Sequence, residues 1–159
     1  MYVSIVNKSL DAITAMTFSF IGDVCIMASR GALTGKKENT FNLGVMSFAF
    51  AHFIYVSAMG GRSIFILITM SSCIVIYGLI NLKLKNDKLN YIPYTVSLLT
   101  STINAWMYSV ISGIGMILFL SSDGVLSIFE IKGIMYQIII WVLYIPAQYL
   151  MLTALLLNH

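Results

Sequence analysis

A chain of 159 residues that is 59% hydrophobic and only 9% charged falls far below the roughly 25% charged residues of soluble domains, which excludes a water-soluble globular protein. Its formal charge of +3 is spread over connecting segments, with no basic run or stripe that could track a phosphate backbone, which excludes nucleic acid as a partner. What remains is an integral membrane protein, read as one all-α domain over residues 1–159.

A hydrocarbon core about 30 Å thick needs roughly 20 apolar residues per helix, and the chain divides into about six such runs, the pattern of a polytopic transmembrane helical bundle. The opening, with only Lys8 and Asp11 as charges, lacks the basic region and small-residue cleavage site of a removable signal peptide. The first span, 10–29, carries "FSFIGDVCIMASR", with Asp23 amid lipid-soluble neighbours. The charged loop "RGALTGKKEN" leads to the second, 41–60, where His52 and Tyr55 lie one turn apart. Gly60-Gly61-Arg62 makes a tight connection to the third, 63–82. After "KLKNDKLN" comes the fourth, 91–109, with Ser97, Ser101, Asn104 and Tyr108 on one stripe. Ser112-Gly113 predicts a second tight hairpin. The fifth, 112–129, carries Ser121, Ser122, Asp123 and Ser127, with Glu130 beyond. The sixth, 134–156, sets Gln137, Trp141, Tyr144 and Gln148 at heptad-like spacing. None of the runs shows the alternation of a membrane barrel. Cys25 and Cys73 both sit inside apolar runs and read as small buried packers, not as a disulfide or metal pair.

Arg30, Lys36, Lys37, Lys83, Lys85, Lys88 and Lys132 fall in the first, third and fifth loops, against only Lys8 and Arg62 on the other side. The positive-inside bias therefore puts those three loops in the cytoplasm and both termini outside. Abundant lysine, asparagine and isoleucine point to a bacterial source, hence a bacterial cytoplasmic membrane.

Positions three, four or seven apart share a helix face, and the polar stripes so defined cannot all face lipid cheaply. They should converge on one interior cavity. Serines and threonines in membrane helices commonly bond the preceding turn or glue helices together, so Ser97, Ser101 and Ser127 carry little by themselves. Two intramembrane carboxylates are harder to explain structurally. Asp23 and Asp123 each lie about six residues, or roughly 9 Å, before the same end of their helices, and so at one level. Each is followed seven residues later by a charge, Arg30 and Glu130, which can pair at the mouth. "FIGDVCIM" against "LSSDGVLS" is a weak parallel repeat.

Paired carboxylates in a desolvated pocket can divide their roles, one holding a proton while the other stays charged, which is what general acid and base chemistry requires. His52 or Tyr55 can tune or relay that proton. There is no Gly-x-Ser-x-Gly elbow and no His-x-x-x-His or His-Glu-x-x-His pair. A metal site of Asp23, His52 and Asp123 would be poor in the His or Cys ligands that catalytic zinc prefers, so no metal or other cofactor is expected.

"FIGDVCIM", then "FNLGVMSFAFAHFIYV", "GMILFLSSDGVL" and "YIPAQYLM" on successive helices resemble the YhhN-type lysoplasmalogenase family, from about Lys8 to Leu152. The matching positions are Gly22 and Asp23, His52 and Tyr55, Ser122 and Asp123, and Tyr144 and Gln148. The resemblance implies a multispanning membrane hydrolase that cleaves the vinyl ether bond of lysoplasmalogens to a fatty aldehyde and a glycerophospho head group. It implies a lysophospholipid substrate, reached from membrane lipids, with Asp23 and Asp123 catalytic. Gly22, His52, Tyr55, Asn104, Ser122, Tyr144 and Gln148 would support them. Family members are usually longer, so the resemblance also implies one or two amino-terminal spans fewer here. The other reading of two intramembrane acids is a small proton- or cation-coupled transporter; a scaffold without chemistry would need both aspartates as neutral structural donors.

Overall fold

The computed structural model describes residues 2–30, 37–60, 72, 76, 87–128 and 134–157, nearly all of them helical. Five helices stand among them: α1 (Tyr2–Arg30), α2 (Lys37–Ala58), α3 (Asp87–Tyr108), α4 (Val110–Ile128) and α5 (Ile134–Leu157). The expected third span, 63–82, lies outside the described residues apart from Ser72 and Ile76, as do Cys73, Glu130 and most of the basic loop residues, and the side chain of Arg30.

Helix α1 shows how a bilayer sorts side chains. Leu10, Ile13, Phe20, Val24 and Met27 are exposed, whereas Ala12, Ala15, Ser19, Gly22, Ile26 and Ser29 are buried at heptad spacing. Lipid solvates the large apolar groups as well as a protein interior does, so the close helix contacts go to small residues. Gly22 and Gly44 make the crossing of α1 on α2: a Cβ on Gly44 would stand 3.0 Å from the Gly22 carbonyl oxygen and 2.8 Å from Ile26 Cγ1. Hydroxyls on the lipid side close onto their own helix. Thr14, Thr17, Thr100 and Thr153 each donate to the carbonyl four residues back, which satisfies them without water.

The principal contacts run α1 to α2, α2 to α3, α3 to α4, α4 to α5, and α5 back to α1, which closes a ring. Helix α2 ends on Met59 and Gly60, the latter at φ 80°, a left-handed stop that glycine tolerates. The expected hairpin at Ser112-Gly113 turns instead at Ser109. Its Oγ accepts the Ser112 amide at 3.2 Å, the bond of an N-cap to the third helical residue. Ser112 Oγ donates to the Ala105 carbonyl at 2.7 Å, tying the turn to α3. The chain does reverse there, because Tyr94, fifteen residues before Ser109, bonds Asp123, fourteen after it. Helices α4 and α5 also run antiparallel, with Gly115 against Ala147 and Ser122 against Ile140.

Among the described residues, three stretches are long and apolar enough to cross a membrane: Ser9–Ser29, Thr40–Ala58 and Gln137–Leu157. Helix α4 has a shorter apolar stretch, Val110–Leu126. Helix α3 is less apolar because Ser97, Ser101, Thr102 and Asn104 are turned into the bundle. The inner core is aromatic and sulfur-rich, with Tyr55, Met116, Phe119, Met151 and Leu155 almost fully buried.

Candidate active site

Gly22 brings α1 so close to α2 that a Cβ there would lie 2.8 Å from the Phe48 ring, and the next residue, Asp23, faces a cavity of about 370 Å³. The cavity is lined by Asp23, Ile26 and Met27 of α1, Phe48 of α2, Ser122, Asp123 and Leu126 of α4, and Gln137, Ile140, Trp141 and Tyr144 of α5. Phe48, Ser122 and Tyr144 are buried and form its floor, while Met27, Gln137 and Trp141 are exposed and mark its mouth. That mouth lies along the seam of α1 and α5, the most lightly packed junction of the ring.

Each carboxylate is held by a tyrosine from another helix. The Tyr94 hydroxyl donates to Asp123 Oδ2. The Tyr144 hydroxyl bonds Asp23 and accepts from Gln148 Nε2 at 3.1 Å. Gln148 Oε1 in turn accepts from the Tyr55 hydroxyl at 2.9 Å. The two acids act on each other electrostatically, and α5 packs on both α1 and α4, the helices that carry them.

The structure thus brings Asp23, Asp123, Ser122 and Tyr144 onto one cavity, sets Gly22 beside it, and links Gln148 and Tyr55 to it by hydrogen bonds. His52 does not join that chain. It is 1% exposed, with its ring edge-on to Phe119 at 4.6 Å and 6.5 Å from the Tyr94 ring, and neither ring nitrogen has a hydrogen-bond partner among the described residues. Asn104 is also buried, but it does not line the cavity, and its Nδ2 has no partner among the described residues. Of the two relays expected, only Tyr55 reaches an aspartate, through Gln148 and Tyr144. Arg30 with Glu130 as a pair at the mouth lies outside the described residues. Among the described residues no three His, Cys, Asp or Glu side chains converge as metal ligands would.

Tyr94 is the residue that sequence reasoning missed. It continues the α3 stripe one step back, three residues before Ser97 and seven before Ser101, so extending that stripe would have found it. Gln137 and Trp141 belong to the α5 stripe already noted, and they prove to be cavity residues.

The sequence profile of the YhhN family matches residues 6–155, nearly the whole chain. No curated protein and no solved structure matches it.

Proposed function

The chain belongs to the YhhN family, and we propose that it hydrolyses the vinyl ether bond of lysoplasmalogens by carboxylate acid and base catalysis, as that membership is consistent with. The observation that carries this reading is the pair of aspartates, Asp23 and Asp123, lining one otherwise largely apolar cavity inside a membrane bundle. Its volume of about 370 Å³ lies within the roughly 300–1,000 Å³ of small-molecule sites. A vinyl ether is cleaved by protonating its double-bond carbon, after which water captures the oxocarbenium-like cation and the hemiacetal collapses to aldehyde and alcohol. Paired carboxylates serve the same ends at glycosidic bonds.

Two further features favour this over a proton or cation pathway. The mouth opens between exposed apolar residues of α1 and α5, Met27 and Trp141, which suits a lipid that enters sideways with its chain still in the bilayer. Behind Asp23, Tyr144, Gln148 and Tyr55 are buried and bonded to one another, which suits a closed floor better than a wet path.

The test is aldehyde release from a lysoplasmalogen by purified protein in vesicles, comparing wild type with Asp23→Asn and Asp123→Asn. Release by the wild type and loss in both folded variants supports the hydrolase. A folded wild type that releases none, yet carries proton or cation flux in the same vesicles, refutes it in favour of transport.

A further inference from the structure

Asp23 and Asp123 differ in how they are hydrogen-bonded. The Tyr55 hydroxyl donates to Gln148 Oε1, and Gln148 Nε2 donates to the Tyr144 oxygen. With its oxygen so engaged, Tyr144 turns its own proton to Asp23. Three donors from α2 and α5 therefore point the same way and end on one carboxylate, each polarising the next. Bonds of this kind are strongest when the final acceptor is charged. Tyr55, Gln148 and Tyr144 are all buried, which strengthens the bonds between them.

Asp123 receives the Tyr94 hydroxyl at Oδ2, which leaves Oδ1 for a proton. Among the described residues, the titratable groups facing the pair are Tyr94 and Tyr144, with His52 behind Tyr94. No Lys or Arg lines the cavity among the described residues. Without a cation to offset them, two neighbouring carboxyls hold one negative charge between them more cheaply than two.

We propose that Asp23 is the standing carboxylate and Asp123 the proton donor, the order being set by the chain from Tyr55 through Gln148 and Tyr144. This assignment rests on the vinyl ether reading for its substrate. Asp123 Oδ1–H gives its proton to the double-bond carbon remote from the ether oxygen, and the adjacent carbon becomes the oxocarbenium centre. Asp23 stabilises that cation and takes a proton from the attacking water, whose oxygen bonds the cationic carbon to give a hemiacetal. In the collapse the bond to the glycerol oxygen breaks. That oxygen takes the proton back from Asp23, and the hemiacetal hydroxyl returns one to Asp123. One water is consumed and both acids are restored. Tyr55 and Gln148 are positioning residues that act through Tyr144.

The test is infrared spectroscopy of the full chain in nanodiscs at neutral pH, with carboxyl-labelled aspartate; Asp11, Asp23, Asp87 and Asp123 are the four aspartates. The wild type should show one buried carboxylic acid band. Asp123→Asn should abolish it and Asp23→Asn should keep it. Adding Gln148→Leu to Asp123→Asn should bring an acid band back, because Tyr144 is then no longer held as a donor to Asp23; a purely structural role for Gln148 would not do this. A band that survives in Asp123→Asn alone, or that vanishes in Asp23→Asn, overturns the assignment. Should an Asn variant fail to fold, Tyr94→Phe must shift the wild-type acid band, because Tyr94 bonds the carboxyl that holds the proton; a band that Tyr94→Phe leaves unmoved overturns the order of roles. The bands are read without substrate. A protein silent toward lysoplasmalogen can thus still confirm the order of the acids while refuting the substrate, and an active one with its proton on Asp23 does the reverse.

Discussion

Gly22→Ala tests the packing that presents Asp23 to the cavity. The new methyl would lie 2.8, 2.9 and 3.0 Å from Cε2, Cδ2 and Cζ of Phe48, where carbon atoms prefer roughly 3.5–4.0 Å. The ring cannot simply turn away, since it packs against Phe119 at 5.8 Å and Tyr144 at 6.4 Å. Overpacking of this kind costs about 1–3 kcal/mol. Alanine in place of glycine inside a helix returns about 0.5–1 kcal/mol, so the variant should lose about 0–2.5 kcal/mol in net stability. Gly124→Ala on α4 is the control, because nothing lies within 4 Å of its added methyl. The backbone contribution is common to both, so the difference between them isolates the overlap with Phe48, about 1–3 kcal/mol. Thermal and denaturant unfolding in detergent measures it. A Gly22→Ala protein as stable as Gly124→Ala would refute the close approach of α1 to Phe48, and with it the account of how Asp23 is placed.

Ser109→Ala removes the cap of α4, the acceptor of the Ser112 amide at 3.2 Å, and should cost about 1 kcal/mol in thermal unfolding. Tyr55→Phe deletes the first donor of the chain to Asp23; a net hydrogen bond of about 0.5–1.5 kcal/mol corresponds to a two- to tenfold lower kcat in aldehyde release, with KM unchanged. Trp141→Ala removes a wall at the mouth that stacks edge-on to Tyr144 at 5.8 Å. It should raise KM by about tenfold, worth ~1.4 kcal/mol, and leave kcat much less affected, as initial rates against substrate concentration will report.

The helices were legible because a bilayer leaves the chain few options: apolar runs of sufficient length in 10–29, 41–60 and 134–156 became α1, α2 and α5 with small shifts at their ends. Helix α1 begins at Tyr2, well before the apolar run, since Asn7, Lys8 and Ser9 forbid burial in lipid but not helical hydrogen bonding. The α3–α4 turn was displaced for a chemical reason. Ser112 and Gly113 look like turn residues, but Ser109 can cap, and Gly113 serves instead to let the Trp106 ring come within 2.5 Å of where a Cβ would stand. That Asp23 and Asp123 line one cavity was legible from the polar stripes taken together with the depth of the two acids. The role of each α3 residue was not, because a stripe from Ser97 to Tyr108 runs about 16 Å along the helix axis. Its continuation one turn back, Tyr94, reaches Asp123, while Asn104 is buried away from the cavity.

Site and fold are also coupled through the same bonds. Asp23 on α1 is joined to α5 through Tyr144, and α5 to α2 through Gln148 and Tyr55; Tyr94 joins α3 to Asp123 on α4. Polar links between membrane helices average about 0.6 kcal/mol each, so three cross-helix bonds contribute on the order of 2 kcal/mol to holding the ring shut. Loss of activity in a site variant therefore mixes lost chemistry with a loosened ring. Asp23→Asn and Asp23→Leu separate the two. Asparagine keeps an oxygen that can accept from Tyr144 but provides no carboxylate, so its unfolding midpoint should stay near wild type while aldehyde release falls to background. Leucine removes the acceptor as well and leaves the Tyr144 hydroxyl buried without it, which costs about 1–3 kcal/mol more. Equal stability of the two variants would mean that the Tyr144 bond to Asp23 contributes nothing to the closure of α1 against α5.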